Sequence, residues 1–139
     1  MGKTFQSTTV NAPVDKVWET IRDFHDMSWT TSVITDCKPD GDLKGDQVGA
    51  KRVLNDAFYE TLRELNDVNH IIRYSIDDAP SPVSETSGYL GFVRVHPVTD
   101  SNTSYVVWSS KWQGKDQETA EFCSPIYVAM LGDLKKKFA

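Results

Sequence analysis

At 139 residues, with 39% apolar and 25% charged side chains, the chain suits one globular domain with a sizeable core and room for an internal cavity. A formal charge of −5 argues against nucleic acid and against an anionic membrane surface, since both require clustered cations. No apolar run reaches membrane-spanning length, and Met1 to Thr9 is polar, without the apolar segment of a secretion signal. Cys37 and Cys123 read as free thiols rather than a disulfide framework. These features predict a cytoplasmic protein that does not insert into membranes.

Thr4 to Val10 predicts a first strand, stopped by Asn11-Ala12-Pro13. Pro13 suits a helix's first turn, and Val14, Val17, Trp18 and Ile21 then give an apolar helical face ending near Phe24. Asp26 to Thr30 reads as a second short helical turn carrying Trp29. Thr31 to Cys37 is rich in Thr, Val and Ile and predicts a strand, followed by turn chemistry at Pro39 to Asp42. Val48 to Leu54 and Phe58 to Asn66 predict a hairpin around Asn55-Asp56-Ala57. Further strands follow at His70 to Ile76, Ser87 to His96 and Ser104 to Trp112, with Asp77 to Ser84 a Pro-containing loop.

Asp116 to Phe138 predicts the closing helix, with Phe122, Ile126, Met130, Leu134 and Phe138 recurring every four residues. Pro125 either kinks this helix or marks a fresh start capped by Ser124. The expected fold is α+β: a seven-stranded antiparallel sheet curved around a long C-terminal helix, with two short helices near the N-terminus. Such a sheet and helix leave a hollow between them, which suggests a bound ligand.

Several ordered stretches resemble the START-like, or SRPBCC, superfamily of helix-grip proteins, and within it the polyketide cyclase/dehydrase group. They are Ala12-Pro13 with Val17-Trp18, Val48 to Arg52, Glu60 to Asp67, Tyr74 to Ile76, Tyr89 with Val95-His96-Pro97, and Val107 to Ser109. The resemblance spans residues 1–139 as a single ligand-binding domain. It implies a pocket lined by Glu60, Leu62, Tyr74, Ile76, Tyr89 and Gly91 from the strands and by Phe122, Ile126 and Met130 from the helix. The superfamily includes the plant abscisic acid receptors. Their buried Lys would fall near Thr35 and their mobile loop motifs near Asn55 to Phe58 and Asp78 to Val83; this chain carries none of these.

The residues themselves single out Arg52 and Glu60. A hairpin centred on Asp56 sets them opposite each other on one face. They form either a buried ion pair that orients a ligand group or a cross-strand salt bridge in solvent, because alternation alone does not fix which face is inside. A carboxylate in an apolar cavity is pulled up in pKa by desolvation and down by a neighbouring Arg, and serves as acid or base only if desolvation wins. Tyr74 and Tyr89 are either hydrogen-bond donors to a ligand carbonyl or core aromatics with satisfied hydroxyls. The strand Tyr105 to Trp112 carries Trp108 on one face. Turned inward, Trp108 fills the cavity; turned outward, beside Leu90 and Phe92, it keeps Tyr89 and Gly91 inside and gives an apolar patch on the outer sheet face that could support a homodimer, the reading preferred here. His25, His70 and His96 are not spaced as metal ligands, and no phosphate loop or nucleophile elbow is present, so neither metal nor cofactor is expected.

Three functions follow. The first is binding of a small hydrophobic molecule: a lipid, a polyketide or an aromatic or isoprenoid-like compound. The second is a cyclase/dehydratase-type enzyme with Glu60 as acid or base and Tyr74 or Tyr89 polarising a carbonyl. The third is an interaction protein whose cavity is filled by its own side chains.

Overall fold

In the computed structural model, which describes all residues from Met1 to Ala139, seven antiparallel strands form one sheet in the order β1-β7-β6-β5-β4-β3-β2. They are β1 (Gly2–Val10), β2 (Cys37–Asp40), β3 (Lys51–Leu54), β4 (Phe58–Asn66), β5 (Ile71–Asp78), β6 (Ser87–Val98) and β7 (Thr103–Gln113). Helix α1 (Val14–Ile21) follows β1, and α2 (Asp116–Lys137) closes the chain and lies chiefly against β1.

Tight turns explain most of this order. Asn55 and Asp56 adopt positive φ at the β3–β4 turn, which Asn and Asp tolerate better than most residues. That turn sets Leu54 against Phe58 and Arg52 against Glu60, the register expected from the sequence. Directly opposed residues share a face, so rows of side chains run across the sheet. One row holds Arg52, Glu60 and Ile76. Another holds Leu62, Tyr74, Gly91, Ser110 and Thr4. Both rows face α2 and the core.

The structure corrects two expectations, on the second helix and the second strand, and decides two points the sequence leaves open, at Pro125 and Trp108. Only one short helix lies near the N-terminus: Asp26 to Thr30 makes hydrogen-bonded turns, with Ser28 bound to the Asp26 carboxylate. Thr31 to Asp36 is a strap of turns rather than a strand, and β2 begins only at Cys37, running through Pro39 where a turn was expected. Pro39 is accommodated because β2 is an edge strand. Helix α2 does not restart at Ser124; it runs unbroken through Pro125. Trp108 points inward, 4% exposed, because it lies opposite Val93 while Ser110 lies opposite Gly91. Tyr89 and Gly91 alternate with Val93 and Val95 onto the buried face of β6, so Tyr89, Gly91 and Trp108 all face the interior. The outer face keeps exposed Phe5 and Leu90, while Phe92 lies beneath the Arg73 guanidinium at 4.5 Å.

The core is continuous from Val10 and α1 through Trp29 and the inner sheet face to Tyr127, Leu131 and Leu134 of α2. No helix is long and apolar enough to cross a membrane.

Candidate ligand-binding cavity

Between β3, β4, β5 and α2 lies a cavity of about 280 Å³, lined by fourteen residues of which eleven are hydrophobic. Val33, Asn55, Phe58, Ile76 and Ile126 are half-buried and form its rim. Arg52, Leu54, Glu60, Tyr74, Trp108, Cys123, Tyr127 and Met130 are buried and form its floor and walls. Of the residues singled out in the sequence, Arg52, Glu60, Tyr74, Ile76, Ile126 and Met130 come together here. Leu62 is fully buried in the core instead, and Phe122 turns aside to pack on Phe58 at 6.3 Å. Tyr89 stacks on Trp112 at 5.2 Å and stays outside the lining. Gly91 contributes space: a Cβ there would stand 2.1 Å from Cζ of Tyr74, whose ring lies across it.

The mouth is organised by the strap at residues 31–36. Thr30 and Ser32 donate from their hydroxyls to Asp133 of α2, and the Ser32 amide donates to the same carboxylate oxygen. Asn55 holds the other side: its amide nitrogen donates to Val33 O, and its oxygen accepts from the backbone of Thr35 and Asp36. Val33 and Ile34 thereby face the cavity.

At the floor, Arg52 and Glu60 form an ion pair, each 5% exposed. Arg52 Nη2 and Nε donate to the same Glu60 oxygen, Oε1, at 2.7 and 2.9 Å. Arg52 Nη1 donates to Phe24 O at 3.0 Å and contacts Met27 Sδ at 3.3 Å, and the Phe24 ring lies 3.7 Å below the guanidinium carbon. All three guanidinium nitrogens are thus engaged. The second Glu60 oxygen, Oε2, takes part in no hydrogen bond within the chain. Burial pushes the Glu60 carboxyl above the usual carboxylate range, and Arg52 opposes that rise.

The remaining polar groups satisfy one another. Trp108 Nε1 donates to the Tyr74 hydroxyl at 3.0 Å, which donates to that of Tyr127 at 3.1 Å. Tyr127 pairs with Tyr89, which donates to Ser110 Oγ at 3.1 Å, and Ser110 pairs with Thr4. Desolvation pushes all three phenols well above their ordinary pKa, so they remain protonated. Burial likewise raises the Cys123 thiol.

A sheet gripping one helix around such a hollow is the arrangement that the sequence resemblance implied. The family model for polyketide cyclase/dehydrase and lipid transport proteins matches residues 1–139. The chain belongs to this family. Among solved structures, a Nitrosospira multiformis member is 40% identical, with 99% of this chain and 96% of that one aligned and a TM-score of 0.96. XoxI of Bacillus cereus is 28% identical, covering 99% and 96% of the two chains, with a TM-score of 0.83. The major latex-like protein 151 of Panax ginseng shares the fold at 14% identity, covering 99% and 97%, with a TM-score of 0.78. No curated protein matches the chain.

Sequence reasoning missed Val33, Ile34, Leu54, Asn55, Phe58, Trp108, Cys123 and Tyr127 as lining residues. Phe58 was legible, since it shares its strand face with Glu60. Tyr127 and Cys123 were not, because the closing helix was read on a strict four-residue repeat. Four residues advance a helix by about 40° beyond one turn, so such a stripe drifts off the buried face. The buried line runs Thr119, Cys123, Tyr127, Met130 and Leu134.

Proposed function

We propose that this family member binds one small, largely apolar molecule in the cavity between β3–β5 and α2. The observation that carries this reading is a mostly hydrophobic hollow of about 280 Å³ that the chain's own large side chains do not fill. They are held back from it. Tyr74 lies flat across Gly91, and Trp108 stacks on Tyr127 at 5.1 Å. The volume sits at the lower end of small-molecule sites, about 300–1,000 Å³, which suits a single chain or a one- to two-ring compound better than a two-tailed lipid. Family membership supports the same reading.

A second reading is favoured by the free oxygen of Glu60. A carboxylate of raised pKa beside an apolar cavity can accept a proton from a bound substrate, as a cyclase- or dehydratase-type reaction requires. The phenols are less suited to the partner role: Tyr74 already gives its proton to Tyr127, and Tyr89 gives its own to Ser110.

Native mass spectrometry of the purified protein, followed by denaturation to release and weigh any passenger, tests the first reading. A small molecule at near-unit ratio, displaced in an Ile126→Trp variant that fills the rim, is the expected result. An empty protein that also refuses apolar fluorescent probes would overturn it. Under the enzyme reading, Glu60→Gln keeps an apolar ligand bound and loses turnover.

A further inference from the structure

Resting on the binding reading above, we infer that the cavity selects neutral ligands whose polar group is a hydrogen-bond donor, an alcohol, a phenol or an N–H, and that it rejects carboxylates. The argument is an inventory of what the lining still offers. Trp108, Tyr74 and Tyr127 spend their N–H and O–H groups on one another and on Tyr89. Asn55 holds the strap through its oxygen and through one of its two N–H groups. Arg52 would be the natural anchor for a ligand carboxylate, since guanidinium and carboxylate match in geometry. Here four of its five N–H groups are engaged by Glu60, Phe24 O and Met27, Phe24 covers one face, and the fifth, on Nη2, sits beside the Glu60 charge.

The free acceptor of the lining is Glu60 Oε2, on a side chain 6% exposed, in the wall of the hollow. A donor on the ligand would complete it, and a ligand that shields this oxygen from water without supplying a donor leaves a carboxylate oxygen unpaired, which is costly. A ligand carboxylate would meet like charge at Glu60, with Asp77 adding to the same negative field. An ether or ketone would place lone pair against lone pair. The apolar rim of Val33, Phe58, Ile76 and Ile126 takes the body of the molecule and points its polar end at Glu60.

Three compounds of one shape separate the possibilities: 2-naphthol, 2-methoxynaphthalene and 2-naphthoate, titrated against the wild-type protein at pH 7.5 by calorimetry or by their own fluorescence. Hydrogen bonds to charged groups contribute enough that 2-naphthol should bind about ten- to a hundredfold more tightly than 2-methoxynaphthalene. Binding of 2-naphthoate should be the weakest. Glu60→Gln turns the free acceptor into an N–H donor, so the preference should shift towards the ether and the acid. Equal or tighter binding of 2-naphthoate or 2-methoxynaphthalene by the wild type would overturn the inference and leave the binding site standing. Failure of all three to bind would overturn both. The wild-type series decides the matter even if Glu60→Gln does not fold.

Discussion

The two ends of the space between sheet and α2 are built from similar residues and come out differently. At the end near Tyr89, Trp112 stacks on Tyr89 with ring planes 6° apart, Tyr89 bonds Tyr127, and Trp112 and Thr119 are almost wholly buried. Nothing is left open there. At the end near Glu60, Leu54, Phe58 and Ile76 face Ile126 and Met130 across empty space. Aromatic content does not account for the contrast. At the closed end the Tyr89, Tyr127 and Ser110 hydroxyls find partners within the chain and the rings lock together, while Trp112 Nε1 and Thr119 Oγ1 are buried there without partners. At the open end a charged pair forms the floor, and its free oxygen has no side chain to meet. A cavity filled by the chain's own side chains describes the closed end and not the open one.

The largest expected effect comes from breaking the floor of the open end. Arg52→Met leaves Glu60 buried without its partner, and loss of one member of a buried pair costs about 3–5 kcal/mol. The sign with pH follows from Glu60. Its folded-state pKa is already raised by burial, and without Arg52 it rises further. Its contribution to stability is fully present below the ordinary carboxylate range and is lost as pH rises through the raised folded value. The variant should therefore unfold at lower denaturant as pH climbs from 5 to 8, a trend much weaker in the wild type. Replacing both residues, Arg52→Met with Glu60→Leu, should recover most of the loss. Urea titrations of the three proteins at three pH values check this; an Arg52→Met midpoint that does not move with pH would show that the pair is solvated.

A smaller effect should follow from removing the boundary between the two ends. Gly91 lets the Tyr74 ring lie flat against the sheet, and a Cβ at this position would overlap that ring. Gly91→Ala must push the ring off the sheet towards the hollow, at about 1–3 kcal/mol for overpacking. It should also pull Tyr74 away from Tyr127 and Trp108, and shrink the cavity enough to abolish probe binding. Thermal unfolding and a probe titration on the same sample separate the two effects. A stable variant that still binds the probe would mean that Tyr74 is not what divides the ends.

How far the sequence reached follows the same division. The strands β1 and β3 to β7, the long helix and the pairing of Arg52 with Glu60 were legible because short turns and alternation are local. Which face was inside was not local, and the hairpin pattern left both a solvated and a buried pair open. Turning Trp108 outward while keeping Tyr89 and Gly91 inside conflicts with the pairing set by the turn between β6 and β7, which puts Trp108 opposite Val93, on the face that Tyr89 and Gly91 share by alternation; the sequence does not reveal that pairing. The strap was misread as a strand because Thr, Val and Ile favour strands, whereas here Asp133 and Asn55 from distant elements override that preference. Nothing local to residues 31–36 announces those partners. The hydrophobic alternation of a strand would also have separated Val33 from Ile34, yet both face the cavity.

The smallest expected effect tests the strap itself and bears on how a ligand enters. Asp133 joins the mouth to α2 through hydroxyls of Thr30 and Ser32, and the hydrogen bond from Ser32 leads in holding its carboxyl below the usual range. A depressed pKa means that this tether is present at neutral pH and is lost only as pH falls through the depressed value. Asp133→Asn keeps the shape and weakens the charge-assisted bonds. Because the site is at the surface, global stability should change by no more than about 0.5 kcal/mol. Local opening is where the change should register. Hydrogen-exchange protection of the Ser32 and Ile34 amides, bonded to Asp133 and to Thr30 O, should fall several-fold, and ligand association and dissociation should both quicken. Protection unchanged at these two amides would place the entry route elsewhere on the rim, between Phe58 and Ile126, where only apolar contacts would have to part.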